Sequence, residues 1–386
     1  MNIKNNGRIK FIDGLRGICA LIVVLSHFMV AFFPAAYWGT SVQSHMRYNI
    51  DTYLSQSPVS IFYAGNYSVC IFFLITGFVL TTTIYKEDSL KKVATKRYFR
   101  LCIPILVATL IIYLFMKLNL FSSINVAKIT GSQWLNDLYN FTPNFKEMLS
   151  ITLFDVLFIG NAKYNTVFWM MSILFYGSFL TLLVTSIWGN MKNRQIIYAL
   201  IILIFIKLGN MYIYYIAFIL GLFCADMFIN YKNILSKIND KIALFFIVMG
   251  VYLGCYPTGV VPTNIFYSCL NIGDDSFKIY HIIGAFLVIV GIMCNTLIKD
   301  LLSKKSFQYL GKISFSIFLV HIIVLCSFSC DIFAVFWNLT HKYQLSFILQ
   351  FIPSMIIIII SAHLFYKLVE QNINKIISKV YNKFFE

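Results

Sequence analysis

The sequence predicts an all-α protein, a polytopic bundle of about ten membrane-crossing helices with both termini in the cytoplasm. Three observations carry that prediction. Of 386 residues, 59% are hydrophobic and only 12% are charged, with a mean hydropathy of +0.78, whereas about a quarter of a soluble globular chain is charged. Apolar runs recur at lengths near the ~20 residues that a helix needs to cross the hydrocarbon layer. Basic residues gather in short segments between alternate runs, which is the orientation signal of membrane proteins. A soluble chain would have to enclose every one of these runs on all sides.

Taken in order, the expected spans are 14–34, 60–84, 101–121, 166–188, 195–209, 212–229, 242–256, 281–298, 313–329 and 346–367. The fifth and seventh are short. The segment 146–160, KEMLSITLFDVLFIG, is apolar enough to lie in the interface or to re-enter, but Asp155 and its length argue against a crossing. With the N-terminus inside, the inner segments carry 23 of the 31 Lys and Arg residues, so both termini are expected in the cytoplasm. The same placement explains the formal charge of +16 without nucleic acid, because no basic stripe interleaved with aromatics stands apart from the membrane pattern. The longest piece between spans, 122–165, is too short for an independent core of ordinary size. The expectation is one membrane domain over 1–386, ending in a short cytoplasmic tail, 371–386, with no appended soluble domain. The first apolar run is too long for a cleavable leader. The nine cysteines show no CxxC and no Cys/His spacing of a metal site. Cys255, Cys269 and Cys330 fall near outward-facing ends, where a disulfide is conceivable.

Ionisable residues inside spans are costly in lipid and point to function. The first span, FIDGLRGICALIVVLSHF, holds three: Asp13, Arg16 and His27. Eleven residues at 100° each bring Arg16 and His27 onto one stripe, about 16 Å apart along the axis. Asp13, three residues before Arg16, is placed to pair with it. One reading is a route: a cation at the cytoplasmic mouth for an anionic donor, and an imidazole deeper in to move a proton or carry a group. The other is structural, with Arg16 snorkelling to lipid phosphates and His27 donating to a carbonyl. In KRYFRLCIP, Arg97 and Arg100 lie one turn apart, a spacing that lets two guanidinium forks clamp phosphate or carboxylate. Ordinary positive-inside charge explains each singly, and Lys91, Lys92 and Lys96 fit that explanation. Gly77 in FFLITGF suggests a close helix contact. Ser314 and His321 share a helix face, but two turns is too far for a nucleophile pair.

Together these stretches resemble the acyltransferase family 3 membrane proteins over about 10–375. The family's opening pattern I-D-x-L-R-G-x-x-A-L-x-V-x-x-x-H is matched by Ile12, Asp13, Leu15, Arg16, Gly17, Ala20, Leu21, Val23 and His27. FFLITGF at 72–78, the Arg97–Arg100 pair before Pro104, LGKISFSIFLVH at 310–321 and Glu370 near the end of the last span match further motifs in order. Glu370 is followed by Gln371 where Pro is frequent. In the fourth span, Trp169, Gly177 and Ser178 fit the family pattern, but Leu174 stands where a Glu is usual, so no catalytic Glu is assigned there.

The resemblance implies an O-acyltransferase of the bacterial plasma membrane. It would move an acetyl or similar short acyl group from cytoplasmic acyl-CoA to a hydroxyl of a surface or lipid-linked glycan such as O-antigen. Acetyl-CoA would be the donor, with no permanently bound cofactor and no metal. Arg16, Arg97 and Arg100 would hold the donor, Asp13 would orient Arg16, and His27 would take the acceptor's proton or carry the acyl group. Trp169, Ser314 and His321 are candidate cavity-lining residues, and Gly77 and Gly177 structural ones. The aromatics Trp38, Trp134, Tyr139 and Trp337 could stack on sugar rings, or only belong to the interfacial belt. The rival readings are a non-catalytic glycan or lipid-linked-sugar transporter on the same scaffold, and a structural or regulatory membrane protein. Both predict that His27→Ala leaves function intact.

Overall fold

A computed structural model describes residues 9–39, 42–85, 90–373 and 375–377. Most of the expected tail, 371–386, therefore lies outside the described residues. Among these residues there is no strand. The long helices are α1 (Lys10–Phe32), α2 (Gly65–Ile84), α3 (Leu90–Lys117), α4 (Trp169–Trp188), α5 (Arg194–Leu208), α6 (Tyr215–Asn230), α7 (Asp240–Gly254), α8 (Ser276–Cys294), α9 (Lys305–Val324) and α10 (Tyr343–Phe365). Two of them continue past a wide, π-type turn. Helix α9 runs through Leu325–Ser329 into Cys330–Thr340, and α10 runs through Tyr366–Glu370.

Eight of the described helices are long and apolar enough to cross a membrane. Helices α5 and α7, at the fifth and seventh expected spans, have 15 residues each. At 1.5 Å per residue that is about 22 Å, short of the ~30 Å hydrocarbon layer. Helix α5 fully buries only Tyr198; Ile201, Ile202 and Phe205 pack against the bundle, and Ile196, Leu200, Leu203, Ile204, Ile206 and Leu208 are exposed. The segment 146–160 forms a broken helix, Phe145–Ser150, a π turn Ile151–Asp155, then Val156–Phe158. Its Leu153 carbonyl accepts from the Tyr98 hydroxyl near the start of α3, at 2.7 Å.

Helix α1 lies at the centre, packed chiefly against α9 and also on α2; α2 in turn packs on α6, α4 and α8, and α9 on α10. Glycines permit the closest crossings. A Cβ on Gly311 of α9 would stand 1.9 Å from the Asp13 carbonyl oxygen, and one on Gly77 of α2 would stand 2.3 Å from that of Phe218 in α6. In a membrane, where helices gain little by hiding apolar surface from lipid, backbone proximity of this kind supplies the packing energy. The α1–α9 crossing does most to position reactive groups, because it sets the DGLRG stretch directly against LGKIS.

Candidate functional site

Five elements enclose a cavity of about 600 Å³, and α4 closes it. Arg16 comes from α1, Phe72 and Thr76 from α2, Lys96, Arg97 and Arg100 from α3, Ser314 and Phe318 from α9, and Glu370 from the π turn after α10. The three arginines, far apart in sequence, are thus neighbours. Arg16 Nη1 lies 4.0 Å from Asp13 Oδ1. Arg97 Nε is buried without a hydrogen-bond partner among the described residues, and its guanidinium lies in the repulsive field of Arg100 and Arg16. A basic cluster with an unsatisfied donor has the chemistry to hold an anion.

Glu370 sits in this basic cluster. Its carboxylate accepts from the Ser316 hydroxyl and feels the positive charge of Arg16 and Arg100. Motif matching alone gives Glu370 no role, although a carboxylate in an apolar span is itself a functional signal. Lys96, which positive-inside charge would explain by itself, also lines the cavity.

Part of the lining is apolar. Met170, Met171 and Leu174 of α4 form it with Ile75 and Leu101, and all five are buried. Leu174 therefore presents a branched hydrocarbon to the cavity at the position where the resemblance leads one to look for a Glu.

Ser314, Phe318 and His321 lie at i, i+4 and i+7, on one face of α9. The first two line the cavity, whereas His321, His27 and Trp169 stand outside its lining. The Phe318 ring, which lines the cavity, lies 6.2 Å from that of His321. Trp169 packs instead on Tyr214, at 5.6 Å. Gly177 is a packing position, since a Cβ there would come within 2.4 Å of the Phe218 ring. Ser314 donates to the Gly311 carbonyl at 2.9 Å.

The two histidines form a pair. His321 Nδ1 is 2.8 Å from the Ile317 carbonyl oxygen, His27 Nδ1 is 2.8 Å from that of Val23, and His321 Nε2 is 3.2 Å from His27 Nδ1. Carbonyls only accept, so each Nδ1 carries its proton when the rings are neutral. His27 Nδ1–H is then shared between the Val23 carbonyl and the lone pair of His321 Nε2. The unprotonated nitrogen of His27 is Nε2, the one able to take a proton. Trp134, from the short helix Gln133–Asp137, lies 5.5 Å from the His27 ring; the preceding Ser132 donates to the Val30 carbonyl and holds that segment over α1. Of the other aromatics, Tyr139 stacks on Phe121 and Trp337 packs on Tyr343 and His341.

Among the described residues no group of three His, Cys, Asp or Glu could hold a metal ion. The nine cysteines are free; Cys255 and Cys330 are buried and Cys269 is exposed.

Comparison with known proteins points the same way. Two curated fungal proteins are similar to part of the chain: an acyltransferase clz18 of Cochliobolus lunatus, 23% identical, and an acyltransferase R4 of a Phoma species, 24% identical, each over 144 residues. These alignments cover 35% of this chain and 31% of either relative, so the chain spans about a third of the length of the curated relatives it matches. No solved structure matches. The family model of the acyltransferase domain, Acyl_transf_3, matches residues 9–367. With nearly all of its length matched, the chain belongs to the acyltransferase 3 family.

Proposed function

We propose that this protein is a membrane O-acyltransferase that moves an acetyl or similarly short acyl group from acyl-CoA to a hydroxyl of a surface or lipid-linked glycan. The observation that carries the reading is the convergence of Arg16, Arg97 and Arg100 on one cavity beside the helix that bears His27. Coenzyme A presents several phosphate charges, and guanidinium forks match them. A thioester is already activated, so what the site has to supply is position and a proton acceptor.

In this reading the donor lies with its phosphates among the arginines and its arm directed along α9 towards Phe318. The acceptor comes from the other side, past Trp134, whose ring next to His27 offers a face for a sugar. His27 Nε2 takes the hydroxyl proton as the oxygen attacks the thioester carbonyl. The new C–O bond forms, the C–S bond breaks, and the proton passes on to the departing thiolate. His321 is a positioning residue: by accepting from His27 Nδ1–H it keeps the basic lone pair on Nε2. The orientation expected from the charge bias, with both termini cytoplasmic, puts the arginines on the side where acyl-CoA is made. A bacterial plasma membrane is the expected location, and the membrane lipid is a partner throughout.

The test is acyl transfer by membranes carrying the wild type, His27→Ala or Arg16→Ala at matched expression, supplied with labelled acetyl-CoA and the cell's own surface glycan. Label that reaches glycan with the wild type alone supports the reading. A His27→Ala protein that labels as well as wild type makes the imidazole structural and overturns this mechanism.

A further inference from the structure

The arginine cavity is not uniform. Its lining includes the charged Arg16, Lys96, Arg97, Arg100 and Glu370, and also the apolar Met170, Met171, Leu174 and Phe318, these four all buried. Of the apolar residues, Phe318 is the one next to the histidines, its ring 6.2 Å from that of His321. Resting on the donor assignment above, we propose that these apolar residues seat the donor's acyl chain and that, among short acyl groups, they bind those longer than acetyl more tightly than acetyl itself.

The physical argument concerns what an acetyl group would leave uncovered. With the thioester carbonyl at the Phe318 end, towards the histidines, an acetyl group adds a single methyl against four large side chains. A chain of several carbons lies along Met171 and Leu174 and replaces water there. Two adjacent methionines suit this task, since their unbranched, polarisable side chains re-pack around partners of different length. A carboxylate in place of Leu174 would put a charge against the chain, which is costly in an apolar slot. The leucine keeps this part of the lining apolar.

The experiment measures binding and so does not depend on turnover. The purified full chain in lipid nanodiscs is titrated with CoA and with its S-methyl, S-propyl and S-hexyl thioethers, which cannot transfer. The expected result is a rise in affinity of about fourfold per methylene along the series. Met171→Gln and Leu174→Glu, two substitutions of similar length to the native side chains, are expected to collapse the series to the affinity of CoA alone. Equal affinity for CoA and all three thioethers overturns the slot while leaving the donor assignment standing. A gain with chain length that survives both substitutions places the chain elsewhere and overturns it as well. If neither CoA nor any thioether binds, the donor assignment falls, and the slot falls with it.

Discussion

If His321 acts through His27, then removing it must matter only while His27 is present. The perturbation is His321→Leu, alone and combined with His27→Ala. Leucine fills the buried site without an acceptor; His27 Nδ1–H keeps its 2.8 Å bond to the Val23 carbonyl but loses the 3.2 Å partner that held it against rotation. One neutral hydrogen bond is worth about 0.5–1.5 kcal/mol net, so His321→Leu is expected to lower kcat by about 2- to 12-fold. Loss of the base itself costs about 10²- to 10⁴-fold. In the His27→Ala background the second change should alter the residual rate by less than about twofold, a coupling equal to the single effect. His321→Gln, which restores an acceptor, should recover part of kcat, and the KM for acyl-CoA should stay level throughout. The assay is the initial rate of glycan labelling at saturating acyl-CoA in membranes of matched expression. The same factor for His321→Leu in both backgrounds would show that the two rings act independently and would refute the dyad.

Other outcomes rest on the same geometry. Arg97→Ala and Arg100→Ala each remove charge-assisted bonds worth about 1.5–3 kcal/mol; the KM for acyl-CoA should rise about 10- to 150-fold with a smaller change in kcat, as steady-state rates would show. Asp226 is fully buried and accepts from Arg194 Nε at 2.8 Å, from Arg194 Nη2, and from Asn230 Nδ2 at 2.7 Å. Asp226→Ala strands the guanidinium, so the cost in detergent unfolding should be about 3–5 kcal/mol, with most of it recovered in Arg194→Met/Asp226→Leu. Gly77→Val would drive a side chain into the Phe218 carbonyl, and the expected result is a sharp loss of folded protein on size-exclusion chromatography. On the loop between α1 and α2, His45 stacks on Tyr343 at 4.0 Å, donates to the Thr130 carbonyl, and its backbone N–H donates to Asp51. Burial holds its pKa below the ordinary value, against the opposing pull of the Thr130 carbonyl and Asp51. Its contribution to the fold is therefore present above about pH 6.5 and is lost as pH falls through the depressed value. Hydrogen exchange over 44–52, corrected for intrinsic rates, should accelerate towards pH 5 and should not in His45→Phe.

The sequence by itself determined the solvent, the helices and the short list of reactive groups, because each of these is written locally. An apolar run of sufficient length is a helix in lipid whatever its neighbours are, and α1, α2, α3, α4, α6, α8, α9 and α10 follow from that alone. The helical period likewise puts Arg16 and His27 on one stripe without any knowledge of packing. Only the tertiary structure decided which faces meet. The approach of Gly311 to Asp13 brings Ser314 beside Arg16 and His321 beside His27, residues nearly 300 positions apart, and no periodicity encodes that register. The same holds for Glu370, visible as a carboxylate in an apolar stretch yet given a partner and a place only when the π turn after α10 carries it to Ser316 and the arginines. Leu174 is visible in the sequence as a departure from a pattern; that it faces a cavity, among buried methionines, becomes meaningful only with α4 in place. Periodicity reports how one helix is shaped, whereas a site made by several helices depends on crossings that the backbone can make only where glycine lets it.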